Sequence, residues 1–373
     1  MLKRSSGMVA GCAALFLVLT ACGGSSGGST PSSGGSKTSK AAALGTVGVI
    51  LPDSSTSPRW EANDRPLLSA AFTAAGIKSD IQNADGNVNK FGTICDSMVT
   101  QGVKVLLIVD LDSNSGSACL KKAQAAGIKT IDYDRLTLGG GASYYVSFDN
   151  VAVGKLMGDG LTKCLTDSGK TKANIVMIDG DPTDNNAALF KQGYVAALKP
   201  KVDSGDYKIV GDQTGKWNDA IAATAFEQLY TQNHGKVDGI ISANDTMAGG
   251  IIARLKAANV NGKIPITGQD ASIAGLQAIL AGDQCMTVYK AIKKEADAAS
   301  ALAIALIQGK DASTIATGTV MDTKLKKAVP SALEIPQAIF KASVKDVIAD
   351  GFWKATDICT AKYAAACTKA GVK

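Results

Sequence analysis

The chain has 373 residues, with 39 Lys and Arg against 33 Asp and Glu, eight Cys and a single His. The charges are scattered, which argues against a nucleic-acid surface, and the lone His with no C-x-x-C argues against a zinc centre. The length allows two ordinary domains with substantial cores.

The first residues have the order of an export signal: Lys3 and Arg4, an apolar run from Met8 to Leu19, then Leu19-Thr20-Ala21-Cys22. The run is too short to span a bilayer as a mature helix. Leu19 to Cys22 also has the pattern of a bacterial lipobox, which implies cleavage after residue 21 and lipidation of Cys22. Without Lys3 and Arg4 the balance is 37 basic to 33 acidic groups. Gly23 to Lys40 is almost entirely Gly, Ser, Thr and Lys. Such a composition cannot bury enough apolar surface to fold, so residues 22–44 are expected to be a flexible tether, its Gly-rich part reaching about 25 Å.

From Thr46 short apolar runs alternate with amphipathic stretches, the rhythm of a parallel sheet with helices on its faces. Strands are expected at Val47–Leu51, Ile77–Ile81, Val103–Val109 and Lys129–Tyr133, and a further one ends near Ser147 to Asn150. Helices are expected at Arg65–Ala75, Lys90–Gln101 and Ser117–Ala126. The second half predicts strands at Ala173–Ile178, Tyr207–Gly211, Gly239–Ser242, Pro265–Gly268 and Met286–Tyr289. Its helices are expected at Val151–Thr166, Asn186–Leu198, Asp219–Gln232, Met247–Ala258, Ile273–Ala281 and Ile292–Ile307. Thr317–Leu325 and a Pro-marked stretch to Phe340 follow. The expected fold class is α/β, with two doubly wound parallel-sheet lobes.

Catalytic signatures are few. No G-x-x-x-x-G-K-[ST] occurs, and Gly139 to Gly141 leads into a strand rather than a helix. His234 precedes Gly235 at an expected helix end, where a histidine serves as a favourable terminal charge. Paired carboxylates, Asp134 and Asp270, leave a glycoside-processing enzyme as one reading.

What recurs is a polar residue where a strand stops. Asp110 follows V-L-L-I-V, Asp134 and Arg135 follow T-I-D-Y, Asn244 follows G-I-I-S-A, Asp270 follows I-P-I-T-G-Q, and Lys290 follows M-T-V-Y. Arg59 and Trp60 come after the first strand, Asp184 to Asn186 after the Ala173 strand, and Trp217 after Gly211. Singly, each reads as a turn former, a helix cap or a core tryptophan. Together they suit a polyol, because carboxylates accept from hydroxyls, Arg, Lys and Asn donate, and an indole face covers C–H surface. Strand ends bordering a crevice are where open parallel sheets bind ligands.

The strings Arg59-Trp60, Tyr133-Asp134-Arg135, Ser147-Phe148-Asp149-Asn150, Asp184-Asn185-Asn186-Ala187, Gly211-Asp212-Gln213, Asn244-Asp245-T-M-A-G-G, Gly268-Gln269-Asp270-Ala271 and M-T-V-Y-Lys290 resemble the D-xylose-binding proteins. These belong to the type I periplasmic sugar-binding proteins of ABC transporters, and the resemblance covers nearly all of Val47 to Trp353. It implies two lobes joined by a three-segment hinge: residues 45–149 with 291–328, and residues 150–290 with 329–373. It also implies sugar contacts from Arg59, Trp60, Asp134, Arg135, Asn185 or Asn186, Trp217, Asn244, Asp270 and Lys290. Asp110 joins this set by its position at a strand end. The chain departs from the family pattern in a longer loop at Ser54 to Ser57 and a shorter one between Gln213 and Trp217. The ligand implied is therefore an aldopentose such as D-xylose, or a similar aldose. No cofactor, metal or catalytic residue is expected. The function implied is that of a monomeric, lipid-anchored receptor outside the cell membrane that hands a monosaccharide to a permease. A sensor presenting its closed form to a chemoreceptor or kinase is the alternative.

Six cysteines lie in the body, and an even number in an exported chain favours disulfides, with fifteen pairings open. Cys95 and Cys119 fall on consecutive helices and Cys359 and Cys367 in the tail, which leaves Cys164 with Cys285. Non-reducing peptide mapping is expected to find these three linked pairs; free thiols throughout would defeat the scheme.

Overall fold

The structure is a computed structural model that describes residues 45–372. The expected export signal, the Cys22 anchor and the tether lie outside the described residues. The first lobe begins with β1 (Thr46–Leu51), a π-helical turn at Trp60–Asp64 running into α1 (Arg65–Ala74), β2 (Lys78–Asn83) and α2 (Val88–Gln101). It continues through β3 (Val105–Ile108), α3 (Ser113–Ala125), β4 (Lys129–Tyr133) and β5 (Tyr144–Phe148). The chain then crosses to the second lobe: α4 (Asn150–Asp167), β6 (Ala173–Asp179), α5 (Asn185–Asp203), β7 (Tyr207–Thr214) and α6 (Asp219–Gln232). That lobe goes on with β8 (Gly239–Ser242), α7 (Asp245–Ala257), α8 (Ile273–Ala281) and β9 (Met286–Tyr289). A second crossing leads back to α9 (Ile292–Ile307), β10 (Gly318–Asp322) and β11 (Lys327–Glu334). The third leads to β12 (Gln337–Phe340), α10 (Val344–Ala349), α11 (Ala355–Ile358) and α12 (Ala364–Lys369).

Seven strands form the first sheet in the order β10-β11-β5-β4-β3-β1-β2, parallel except where β10 meets β11. Alternation in β1 feeds both faces. Val47, Val49 and Leu51 pack with α1 and α9, whereas Ile50 packs with Phe91, Ile94 and Met98 of α2. The boundary expected after residue 328 falls later, because β11 pairs with β5 from Ser331 to Glu334 and so belongs to the first lobe. Pro330 lies just before the paired stretch, where its missing N–H costs no bond to β5.

The second sheet holds β7-β6-β8, with β9 and β12 paired beyond it. Single parallel bridges, Ile240 to Ile266 and Gln269 to Val288, seat the expected Pro265–Gly268 strand between β8 and β9. It is irregular because Pro265 has no N–H, and because the Thr267 hydroxyl accepts from Ser242 N and donates back to the Ser242 carbonyl. The core of this lobe runs from Val153 and Phe190 through Ile240 to Val288, and the tail packs over α8 with Val344, Val347 and Ile358. All three cysteine pairs are bonded as expected, Cys95–Cys119, Cys164–Cys285 and Cys359–Cys367. Among the described residues no helix is long and apolar enough to cross a membrane.

One close approach matters for the site. Gly154 of α4 lies against the Phe190 carbonyl of α5, where an added Cβ would sit 2.0 Å from that oxygen, and a Cβ added at Gly193 would sit 2.2 Å from the Val151 carbonyl oxygen. Only glycine lets the two backbones meet, and that contact fixes the start of α5 at the cleft. Gly154→Ala is expected to lower stability by about 1–3 kcal/mol in urea unfolding, the usual cost of overpacking; an unchanged midpoint would show that the helices can separate freely.

Candidate ligand-binding site

The strand tips of both sheets converge on one cavity, with about 330 Å³ of space between its walls including the part open to solvent. Of the expected residues, Arg59, Trp60, Asp134, Arg135, Asn186, Trp217, Asn244, Asp270 and Lys290 all line it. Two do not. Asp110 is buried outside the cavity, where its carbonyl accepts from Arg135 Nη1 at 2.9 Å, and burial pushes its carboxyl up to about 7 despite the nearby guanidinium. Asn185 is half-buried and borders an outer groove with Asp112 and Thr323. One residue further on, Asn186 is buried and lines the cavity, so of the two it is the one placed at the candidate site.

Thr56, Ser57, Asp184, Phe190 and Gln269 also line the cavity. Phe190 lies four residues past Asn186 on α5, so helical phase places the two on one face. Asp184 and Gln269 had been visible as strand-tip residues, but not as lining ones. Thr56 and Ser57 come from the longer first loop, which Asp53 holds by accepting from Ser55 N at 2.7 Å and Thr56 N at 2.6 Å.

Arg59 is the centre of a buried ion cluster. It gives two bonds to Asp64 (Nε to Oδ2, 3.0 Å; Nη2 to Oδ1, 2.7 Å), one to Asp134 Oδ2 (2.7 Å) and one to Glu295 Oε2 (2.6 Å). Tyr133 adds its hydroxyl to Asp64 at 2.6 Å. Lys290 lies 3.6 Å from Asp134 and 3.3 Å from Asp270, bridging the lobes. Burial alone would raise the Asp134 carboxyl, but Lys290, Arg59 and Arg135 outweigh it and hold it at about 2. Glu295 fares differently: burial, only partly offset by Arg59, pushes it up to about 8. Burial opposes the charge of Lys290, and Asp134 and Asp270 more than compensate, so its ammonium stays charged. Neither Asp64 nor Glu295 stood out in the sequence, since each is one acid among the charges of a helix start.

Capping and lining turn out to be one role. Asn244 caps α7 by accepting from Met247 N at 2.9 Å, while its Nδ2 reaches the Thr56 carbonyl across the cleft at 3.4 Å. Asp184 caps α5 through Oδ1, and its Oδ2 lies 3.1 Å from Arg135 Nε. Further direct bridges include Ser57 Oγ to Asp270 Oδ2 at 3.4 Å and Asn186 Nδ2 to the Asp134 carbonyl at 3.0 Å. Trp60 carries Arg59 at 4.4 Å from its ring centre, and Trp217 stands edge-on to Phe190 at 6.2 Å. Asp134, Trp217 and Asp270 have φ of 62°, 58° and 96° without being glycine. Such backbone is strained and persists where packing enforces it, commonly at ligand sites.

Two features of the lining restrict its ligand. Its charges balance, Arg59, Arg135 and Lys290 against Asp134, Asp184 and Asp270. Five buried lining atoms have no hydrogen-bond partner among the described residues: Trp60 Nε1, Arg135 Nε and Trp217 Nε1 as donors, and Gln269 Oε1 and Asp270 Oδ1 as acceptors. Arg135 Nε lies near Asp184 and Asp270 Oδ1 near Lys290, but neither pair is aligned as a hydrogen bond. The described residues contain no His, Cys, Asp and Glu group suited to a metal.

The sequence pattern of the periplasmic binding protein domain matches residues 47–311. The chain belongs to the periplasmic binding protein family. It is 37% identical over 302 residues to the D-xylose-binding periplasmic protein of Escherichia coli (strain K12), covering 80% of this chain and 88% of that one. It is 35% identical over 340 residues to the multiple sugar-binding periplasmic receptor ChvE of Rhizobium radiobacter, covering 85% and 93%. Among solved structures it is similar to a carbohydrate transporter solute binding protein from Chloroflexus aurantiacus in complex with D-glucose. The two share a TM-score of 0.76 and 28% identity, covering 83% of this chain and 97% of that one. The fold is that of the type I members, and the chain is a binding protein and not an enzyme. Asp134, held near 2, is in any case no general acid.

Replacing Arg59 by Met would leave Asp64, Asp134 and Glu295 facing one another without their main cation. Breaking a buried ion pair on one side costs about 3–5 kcal/mol. Chemical unfolding of Arg59→Met near neutral pH is expected to show a loss of that size, and a loss below about 1 kcal/mol would mean that the cluster contributes little.

Proposed function

We propose that this binding protein is the extracytoplasmic, lipid-anchored receptor of an ABC sugar importer, and that it takes a monosaccharide, an aldopentose such as D-xylose or a similar aldose, by closing its lobes. The observation that carries this reading is the set of five unpaired lining atoms. They comprise three donors and two acceptors, all on residues that line a charge-balanced cavity. A hydroxyl both donates and accepts, so a ring of hydroxyls satisfies such a set, whereas an anion would leave the acceptors unpaired. Trp60, Trp217 and Phe190 offer apolar surface for the C–H faces of a sugar ring. The names of the relatives agree with a sugar ligand. The anchor at Cys22 and the permease partner rest on the lipobox and on the family. Because one relative is named a receptor, a second use as a sensor is retained.

In this reading the residues contacting sugar are Arg59, Trp60, Asp134, Arg135, Asn186, Trp217, Asn244, Asp270 and Lys290, with Asp184, Gln269 and Phe190 added from the cavity. Titration calorimetry against a panel of aldoses is expected to give stoichiometric binding of at least one; no heat and no thermal shift with any aldose would remove the reading. Asp270→Ala is expected to weaken that binding by about 2–5 kcal/mol, as when a buried charged partner is lost. An unchanged dissociation constant would show that Asp270 serves only the turn it sits in.

A further inference from the structure

Arg59 touches the cavity, but what holds Arg59 lies behind it. Glu295 stands near the start of α9, directly after the crossing from β9, and is fully buried. Its Oε2 meets Arg59 Nη2 at 2.6 Å, and its Oε1 has no partner among the described residues. The charged groups facing it are Arg59 and Lys290 on one side and Asp64 and Asp134 on the other, with the hydroxyls of Tyr133 and Tyr145 nearby. Two cations thus meet three carboxylates. A buried excess of negative charge is relieved when one carboxyl takes a proton. Both oxygens of Asp64 accept from Arg59, and those of Asp134 accept from Arg59 and Asn186. Only Glu295 has an oxygen free to carry the proton, in keeping with the rise to about 8 that burial gives it.

We propose that Glu295 is a positioning residue of the ligand site, holding Arg59 against the cavity from the hinge helix, and that closure over a sugar loads a proton onto its free oxygen. The proposal rests on the sugar-binding reading. Opening the cleft brings water to Arg59, Asp134 and Lys290 and lessens the burial that raises Glu295, so its affinity for protons is higher in the closed form. A group raised in the bound state adds affinity that is largest on the acid side and is lost as pH rises towards about 8.

The test is calorimetry of the mature protein with D-xylose between about pH 6 and pH 9, and at about pH 7 in two buffers of different ionisation enthalpy. Wild type is expected to lose at least about tenfold in affinity across that range and to take up protons on binding. Glu295→Gln keeps an acceptor for Arg59, so it should bind within about threefold of wild type near pH 7, with a flat profile and buffer-independent heat. Glu295→Ala should bind at least about tenfold more weakly. A wild type that binds D-xylose with a flat profile, or a Glu295→Gln variant that keeps the slope, overturns the proton step. Glu295→Ala at wild-type affinity overturns the positioning role, and should that variant not fold, the Glu295→Gln profile decides. A wild type that binds neither D-xylose nor another aldose sinks the sugar reading itself.

Discussion

The structure depends on the need to keep Asp134 charged without water. Its carboxylate is buried and sits between two lobes, yet it stays ionised because Arg59, Lys290 and Arg135 surround it. The attraction is strong in a medium of low polarity, and so is the cost of leaving any member unpaired. Each member is therefore tied to more than one partner. Arg59 spreads its fork over three carboxylates, and Lys290 lies between an acid of each lobe. Side chains held in this way lose little freedom when a ligand arrives, which keeps the entropic cost of binding low.

The strength of bonds differs between the inside of a lobe and the gap between lobes. Arg59 meets Asp64 and Glu295 at 2.7 and 2.6 Å within the first lobe. Across the cleft, Ser57 to Asp270, Asn244 to Thr56 and Thr183 to the Leu111 carbonyl are 3.4 Å. The shorter contacts there are Asn186 to the Asp134 carbonyl at 3.0 Å and to Asp134 Oδ1 at 3.2 Å, and the misaligned Arg135–Asp184 pair at 3.1 Å. Contacts as long as 3.4 Å add little to closure. A ligand shifts a two-state equilibrium only through its preference for one state, and weak direct contacts leave that preference to decide the outcome. The short bonds within each lobe preorganise its half of the site, and the few, mostly long bonds across the gap leave closure sensitive to what fills it.

Much of this was legible because strand ends are marked by residue type. Asp134, Asn244, Asp270 and Lys290 each follow an apolar run, and parallel sheets bring such tips together whatever the intervening helices do. Asp110 shares the same mark but lies outside the cavity, since a strand tip has two sides and the sequence does not state which one faces the cleft. Asn185 and Asn186 differ by one helical step, about 100° around α5, a phase that depends on where Asp184 caps the helix. Glu295 and Asp64 could not be found in this way. Their acids sit among exposed charges on amphipathic stretches, and only tertiary packing turns them inward. The late boundary at Glu334 depends on pairing that the sequence does not state, since β11 carries Pro330 opposite Thr319 of β10 and meets β5 only from Ser331 onward.

Capping explains why so few residues suffice to build the site. A helix that starts at a strand tip needs an acceptor for its first free N–H groups, and Asn or Asp supplies it. Using one oxygen for the cap fixes the side chain and aims its other polar atom into the cleft, as with Asn244 and Asp184. Such a residue loses no additional rotamer freedom on meeting a ligand, because the helix has already ordered it. The first loop follows the same logic without a regular helix start. Asp53 gathers Ser55 and Thr56 around its carboxylate and so turns the added residues into a wall, with Thr56 and Ser57 reaching Asn244 and Asp270 of the other lobe. This loop is thereby ordered by the same kind of hydrogen bond, side-chain oxygen to backbone N–H, that orders the helix caps at Asn244 and Asp184.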